Sequence, residues 1–97
     1  MTGFKALDLA VDLYKECEKL KLKNPVRDQL LRATLSIPLN ITEGSGRGSI
    51  KDRRRFYFIA LGSLRETQTL VKIIGHSKLE KSYDILGGLV YGLTRKS

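Results

Sequence analysis

Apolar residues recur every three or four positions in four successive stretches of this chain, and that period constrains the fold more than any other feature. In the first stretch Leu7, Ala10, Tyr14 and Cys17 follow this spacing, which places them on one face of an α-helix. No stretch alternates strictly between apolar and polar residues for long enough to predict a strand. We therefore predict four helices, at about residues 4–22, 25–43, 50–74 and 78–94.

Turn and capping residues separate the four stretches. Asn24-Pro25 is typical of a helix start, and the glycine-rich segment Gly44–Gly48 interrupts the helical pattern. Ser49 and Ser77 each precede an acidic residue by three positions, which is the spacing of a capping box. Gly75 is suited to the end of the third helix.

The length of the chain permits one small domain. Its 97 residues, 41% of them hydrophobic, should fold into an all-α, antiparallel up-down four-helix bundle that spans residues 1–97. A small core is often stabilised by association of copies. Phe58 and Leu61 lie away from the inward stripe of the third helix, so we expect a homo-oligomer.

The chain is strongly basic, with a net charge of +8 and an isoelectric point of about 9.9. Residues 1–48 carry 8 basic and 6 acidic side chains, whereas residues 49–97 carry 10 and 4. An excess of positive charge favours anionic partners: nucleic acid first, an acidic protein second and a membrane surface third. A basic protein without any charged partner is the alternative interpretation.

The cysteine count and the N-terminal segment indicate a cytoplasmic protein. Cys17, the one cysteine, excludes an intrachain disulfide and suits a reducing compartment. We interpret it as a packing or surface residue, because no catalytic motif surrounds it. Charged residues interrupt the N-terminal apolar segment, and no run approaches the roughly 18 apolar residues of a membrane span.

Polar side chains follow one face of the second helix at helical spacing. Arg32, Ser36, Asn40 and Glu43 are separated by four, four and three residues. Polar groups beside a core need partners, because an unpaired buried charge costs several kcal/mol. We therefore predict an internal polar network, which comprises Arg32, Ser36, Asn40, Glu43, Ser63 and Glu66.

The motifs of common catalytic and cofactor sites are absent from the sequence. The segment Gly44–Gly48 lacks the spacing of a phosphate-binding loop, and a helix rather than a strand precedes it. His76 is the one histidine, so zinc-ligand spacing is missing, and we interpret this side chain as a solvent-exposed loop residue. Glu43 and Glu66 are the weak candidates for paired catalytic carboxylates. We expect no metal, no cofactor and no catalytic residue.

A cluster of basic and aromatic residues opens the third helix and is the best candidate for a binding surface. Three consecutive arginines precede Phe56, Tyr57 and Phe58. Arginine forks match phosphate geometry, and aromatic rings stack on unpaired bases. A solvated helix face beside a core Phe56 is the alternative. The predicted nucleic-acid-binding residues are Arg47, Lys51, Arg53, Arg54, Arg55 and Arg65.

The segment Gln29–Gly44 contains the motif Ser-Ile-Pro-x-Asn-Ile-x-Glu-Gly. With this motif the chain closely resembles a family of four-helix bundle proteins encoded in intervening sequences of bacterial 23S ribosomal RNA genes, often labelled S23 ribosomal proteins. The resemblance covers roughly residues 4–75, and its core is this motif. The matching segments are Phe4–Leu9, Gln29–Gly44, Gly46-Arg47, Ser49, Arg55-Phe56, Ile59-Ala60 and Gly62–Glu66.

The resemblance implies a four-helix bundle assembled into a homopentameric ring, without established enzymatic activity. It also implies kinship with the accessory variability proteins of diversity-generating retroelements, which bind nucleic acid and act with a reverse transcriptase. The matching polar residues would be structural in that family. The segment Gly87–Ser97 is shorter and richer in glycine than in typical relatives.

Together these observations predict a non-enzymatic accessory protein that binds RNA, DNA or a hybrid duplex and works as a homo-oligomer. The alternative is a protein-interaction scaffold whose basic face contacts an acidic protein or a polymerase. An enzyme is the third class, and it would depend on Glu43 or Glu66.

Overall fold

The structure, a computed structural model, describes the backbone of residues 2–96 and the side chains of residues 4–95. It contains four α-helices and, within these residues, no strand. The prediction of an all-α chain with four helices is therefore confirmed. The helices are α1 (Thr2–Glu18), α2 (Val26–Ser45), α3 (Ile50–Ile74) and α4 (Ser77–Lys96).

The helices form a bundle in which each packs against two neighbours. Helix α1 contacts α2 and α4, and α3 contacts the same two helices from the opposite side. The bundle measures 41 × 21 × 18 Å. None of the helices in the described part of the chain is both long enough and apolar enough to cross a bilayer.

Helix α1 ends at Glu18, and its predicted end at residue 22 is wrong. Leu20 and Leu22 are two positions apart, which would place them on different sides of a helix. In the structure residues 21–23 are not helical, and both leucines pack against the core. Burial of both side chains therefore favours an extended connection over a longer helix.

The caps of α3 follow the sequence, whereas the predicted N-caps of α2 and α4 do not form. Ser49 Oγ accepts a hydrogen bond from the Asp52 N–H at 3.1 Å, and Gly75 ends α3 with φ at +80°. No side chain caps α2 at its start. At α4 the predicted Ser77 cap is replaced by His76, whose Nδ1 accepts from the Leu79 N–H at 3.2 Å.

His76 is thus half-buried and structural, not the exposed loop residue that we expected. Ser77 becomes the first residue of α4, one position inside the cap. An N-cap acceptor typically stabilises a helix by about 1 kcal/mol.

A buried polar contact links three helices in the core of the bundle. The Tyr83 hydroxyl of α4 lies 3.3 Å from Cys17 Sγ of α1 and hydrogen-bonds Thr34 Oγ1 of α2. Tyr83 and Thr34 are fully buried, and Cys17 is 2% exposed. Burial raises the pKa of the Cys17 thiol and that of the Tyr83 hydroxyl, so both stay protonated and uncharged.

Gly44 allows the closest approach of α2 to α3. A Cβ at this position would lie 2.7 Å from Tyr57 Cε1 and 3.1 Å from the Arg53 carbonyl oxygen. Ser45 Oγ and the Tyr57 hydroxyl are 3.1 Å apart beside it. Gly44 belongs to the last turn of α2 and positions the start of α3.

Gly62 makes no close contact with another helix among the described residues. A Cβ there would meet no atom within 4 Å. Gly87 instead makes such a contact, because its Cβ would lie 3.2 Å from Gln68 Nε2 and 3.3 Å from Leu64 Cδ2. The small residue of α4 therefore brings α3 and α4 together.

Candidate nucleic-acid interface

All of the predicted basic residues except Arg65 lie at one end of the bundle, in the turn between α2 and α3 and on the first turns of α3. Helix α3 begins at Ile50, so Lys51 and the three arginines Arg53–Arg55 belong to its first two turns. The N-terminus of a helix carries a partial positive charge, which adds to that of these side chains. Arg65 lies farther along the same helix, about 15 Å beyond Arg55.

Arg47 and Arg55 share one aromatic ring. Their Cζ atoms lie 4.7 and 4.5 Å from the centroid of Phe56, within the range of cation–π contact. Arg47 Nη2 also donates to Glu43 Oε2 at 2.8 Å. Phe56 is half-buried, so it holds two guanidinium groups in place instead of presenting a free ring face.

Arg53 and Arg54 have structural contacts that the sequence did not indicate. Arg53 is half-buried, its Nη2 donates to the Arg47 carbonyl at 3.4 Å, and its Nε is buried without a partner. Arg54 Nε donates to the Thr94 carbonyl of α4 at 3.1 Å. Both arginines fasten the start of α3 to its neighbours, so their charge is only partly available.

Lys51, Arg55 and Arg65 are the predicted binding residues that bond to neither a backbone carbonyl nor a carboxylate in the described part of the chain. All three are exposed, and Arg65 Nη1 makes one contact, to Gln68 Oε1 at 3.3 Å. Across residues 4–95, the ion pair of Arg47 with Glu43 is the one bond between a carboxylate and a predicted binding residue. The surface is therefore largely unneutralised.

Only one of the three aromatic residues in this cluster is free to contact a ligand. Tyr57 is 5% exposed and belongs to the core, and Phe56 is covered by arginines. Phe58 is 50% exposed, and Arg54 Cζ lies 6.0 Å from its ring centroid. The helical pattern correctly placed Phe58 away from the core, but Tyr57 and not Phe56 is the buried member of the three.

The predicted polar network forms only from its uncharged members. Ser63 Oγ donates to Ser36 Oγ at 2.8 Å, and Asn40 Nδ2 donates to the Ser36 carbonyl and hydroxyl at 2.9 and 3.0 Å. Thr67, which was not predicted, donates to the Ser63 carbonyl at 2.8 Å.

The charged members of the predicted network lie outside it. Arg32, Glu43 and Glu66 are all exposed, and Glu43 pairs with Arg47 instead of Arg32. The desolvation of a charge costs more than a neutral hydrogen bond returns, so the charged side chains stay in solvent while serine and asparagine enter the helix contact.

A cleft of about 300 Å³ opens at the opposite end of the bundle. Its walls include Asp12, Glu16, His76 and Lys78. Mixed charges make it unlike the basic end. Across the described residues no three histidine, cysteine, aspartate or glutamate side chains are grouped so that they could hold a metal ion.

Tyr91 and Arg95 are candidate functional residues that the sequence analysis missed. Tyr91 is 46% exposed, and Arg95 Nη1 donates to its hydroxyl at 3.1 Å. Both lie on α4 near Thr94, the residue that holds Arg54. Tyr91 and Arg95 are four residues apart, which indicates one face of a helix. This spacing does not show that the face lies beside α3.

Two comparisons with known proteins agree with this architecture. A family model described as 23S rRNA-intervening sequence protein matches residues 4–85. A crystal structure from Bacteroides thetaiotaomicron VPI-5482, of a protein with unknown function from the S23 ribosomal protein family, is similar in fold. It has a TM-score of 0.66 and 22% identity, over 98% of this chain and 93% of the other. No curated protein matches the sequence.

Proposed function

This chain belongs to the 23S rRNA-intervening sequence protein family, and from that premise we propose that it is a non-enzymatic nucleic-acid-binding accessory protein of the cytoplasm. The observation that carries the proposal is the basic side of α3, where Lys51 and Arg55 near its start and Arg65 farther along are exposed without a carboxylate partner. Unneutralised arginine and lysine side chains bind phosphates and release the counterions around them.

The binding surface that we propose comprises Arg47, Lys51, Arg53, Arg54, Arg55 and Arg65, with different roles. Arg53 and Arg54 also hold the start of α3 in place through bonds to backbone carbonyls. Arg47 pairs with Glu43. Lys51, Arg55 and Arg65 supply charge without such bonds to the backbone, so their replacement tests binding with the least disturbance of the fold.

Replacement of Lys51, Arg55 and Arg65 together by alanine should weaken nucleic-acid binding at low salt by at least about tenfold. Each lost phosphate contact removes about 0.7–0.9 from the slope of log K against log salt, so the slope should fall by roughly 2. Fluorescence anisotropy of labelled RNA, DNA and hybrid duplexes at several salt concentrations measures both quantities.

A matched control removes the same charge from the other end of the bundle. Lys15, Lys19 and Lys21 are exposed, so their replacement by alanine lowers the net charge equally. This control should retain affinity close to that of the parent chain. Equal losses in the two triple variants, or no binding by the parent chain at low salt, would contradict the proposal.

A protein-interaction scaffold is the second candidate, favoured by the apolar side chains beside the basic residues. Ile50 is 58% exposed next to Lys51, and Phe58 is 50% exposed. Such a mixed surface also suits an acidic protein, for example a polymerase or the reverse transcriptase that the family resemblance suggests. A partner that remains bound after nuclease treatment would favour this candidate, and one released by nuclease favours nucleic acid.

We further propose that the chain works as a homo-oligomer, with a pentamer as the state implied by its family resemblance. Leu61 does not support this as expected, since it packs against the core. Better support comes from α2 and α3 near the Ser36–Ser63 contact, where Leu39 is 56% and Ile59 43% exposed. Gly62 has open space beside it, which suits the close approach of another copy.

Replacement of Leu39 and Ile59 by glutamate should convert the oligomer to a monomer, because each copy would bury unpaired charges at the contact. Light scattering after size-exclusion chromatography, at micromolar concentration, measures the mass. The double variant Ile73→Glu/Ile85→Glu is the control, since these side chains are 67% and 63% exposed elsewhere on the bundle. A monomeric parent chain would refute self-association.

A further inference from the structure

The groove between α3 and α4 holds exposed side chains that the basic cluster alone does not explain. Two hydrogen bonds fix the register of these helices: Arg54 Nε donates to the Thr94 carbonyl at 3.1 Å, and Gln68 Nε2 donates to the Tyr83 carbonyl at 3.4 Å. The two helices are antiparallel, so these bonds place Phe58 of α3 at the level of Tyr91 of α4.

Phe58 and Tyr91 both leave much of their rings in solvent, with exposed fractions of 50% and 46%. Each ring has an arginine beside it: Arg54 Cζ lies 6.0 Å from the Phe58 centroid, and Arg95 Cζ lies 5.7 Å from that of Tyr91. An aromatic ring flanked by a guanidinium group matches the two parts of a nucleotide, the base and the phosphate.

The glycines of α4 keep the space beside these rings open. Gly88 precedes Tyr91 by three residues, which places it on the same face one turn earlier. It is exposed, and a Cβ there would meet nothing within 4 Å. Gly87 lets α3 approach, through its contacts with Gln68 and Leu64. The result is a shallow groove between the two helices in place of a ridge of side chains.

The charge of the groove is basic along about 16 Å of α3, from Arg54 to Arg65. Arg95 adds a third guanidinium group from α4. Asp84 accepts a hydrogen bond from Gln68 at 3.2 Å and marks the end of the basic stretch. The open length therefore combines three arginines with two accessible rings.

On the condition that the chain binds nucleic acid as proposed above, we propose that this groove binds its single-stranded form. The α3–α4 groove is defined by Arg54, Phe58, Arg65, Gly88, Tyr91 and Arg95. Unpaired bases stack on the two rings, and the arginines contact the phosphates. In a duplex the base faces are covered by neighbouring pairs, so the rings would find no partner there.

A single tryptophan in the groove provides the test, because the chain contains none of its own. The variants Phe58→Trp and Tyr91→Trp are titrated with short oligo(dT), oligo(U) and a matched hairpin duplex. Stacking of an unpaired base should quench the tryptophan fluorescence, and the duplex should leave it unchanged. Anisotropy of the same labelled oligonucleotides reports binding independently of the tryptophan.

Removal of the rings gives the second measurement. The double variant Phe58→Ala/Tyr91→Ala should lose about tenfold or more in single-strand affinity, since stacking on an aromatic ring is worth about that factor per base. Its duplex affinity should stay unchanged. Tyr91→Phe, which keeps the ring, and Ile73→Ala/Ile85→Ala, which alters exposed apolar residues outside the groove, should retain single-strand affinity.

Obstruction of the groove by a larger side chain gives the third measurement. Gly88→Leu introduces a side chain into open space, so the helix should form at least as well and the thermal midpoint should not fall. Single-strand affinity should nevertheless drop by a factor similar to that of the double alanine variant. A reduced affinity in a protein of undiminished stability separates obstruction of the groove from unfolding.

The outcomes distinguish this inference from the proposed function. Binding of labelled single strands without any change in tryptophan fluorescence, and with full affinity in the double alanine variant, would overturn the groove while leaving the basic cluster as the binding surface. No binding of any nucleic acid at low salt would overturn both. Quenching by the duplex as strong as that by oligo(dT) would refute the preference for single strands.

Discussion

The substitution Tyr83→Ala lowers the free energy of unfolding by about 3–5 kcal/mol, the largest loss expected for any single change in this bundle. Tyr83 is the largest of the fully buried side chains, and α1 and α2 both contact its hydroxyl. Its removal leaves a cavity between these helices and α4. Since small domains are stable by roughly 5–15 kcal/mol, urea denaturation followed by helical circular dichroism should register a large fraction of the total.

The variant Tyr83→Phe separates the ring from its hydroxyl. It keeps the packing but leaves Thr34 Oγ1 without its buried partner, which should cost about 1–3 kcal/mol. The alanine variant should therefore be clearly less stable than the phenylalanine variant. Equal stability of the two would mean that the buried ring contributes little to the packing of the core.

The substitution Gly44→Val is expected to disturb both the fold and the basic end. A Cβ at residue 44 would lie 2.7 Å from the Tyr57 ring and 3.1 Å from the Arg53 carbonyl oxygen, which is backbone and cannot turn away. Overpacking of this kind costs about 1–3 kcal/mol. Because α3 must move away from α2, the arginines of its first turns shift with it.

Two measurements on Gly44→Val check this expectation. Thermal unfolding should give a lower midpoint than the parent chain, and anisotropy should give weaker nucleic-acid binding in the fraction that remains folded. Gly48→Val is the control, since Gly48 is exposed and a Cβ there would meet no atom within 4 Å. A parent-like midpoint for Gly44→Val would show that the two helices tolerate a wider separation.

The helices could be predicted because their periodicity and caps depend on residues close in the sequence. Features that depend on contacts with other helices could not. Ser49 and Gly75 act as the sequence indicates, because a cap depends on residues within one turn. Leu20 and Leu22 were misplaced because their burial depends on how α1 reaches α2. His76 caps α4 in place of Ser77 because the helix begins at Ser77, one residue earlier than predicted, and sequence patterns rank a hydroxyl above an imidazole as a cap.

The candidate site was predictable as a set of charges but not as a surface. The basic cluster follows from the sequence, whereas the different roles of Arg53, Arg54 and Arg55 depend on neighbours from other elements. Tyr91 and Arg95 could be assigned to the site only from the register of α3 and α4 in the structure. Burial of charge decided the polar network, since Ser36 and Ser63 meet between the helices while Glu66 stays in solvent.

The bond from Arg54 to the Thr94 carbonyl makes this arginine a poor subject for an ordinary alanine scan. Its replacement by alanine removes a positive charge and also the hydrogen bond that joins the last turn of α4 to the start of α3. Any lost affinity would thus mix two causes, and a ranking of side chains by such losses would place Arg54 too high. Arg54 thus contributes to the positive charge of this surface and also to the contact that holds α3 and α4 together.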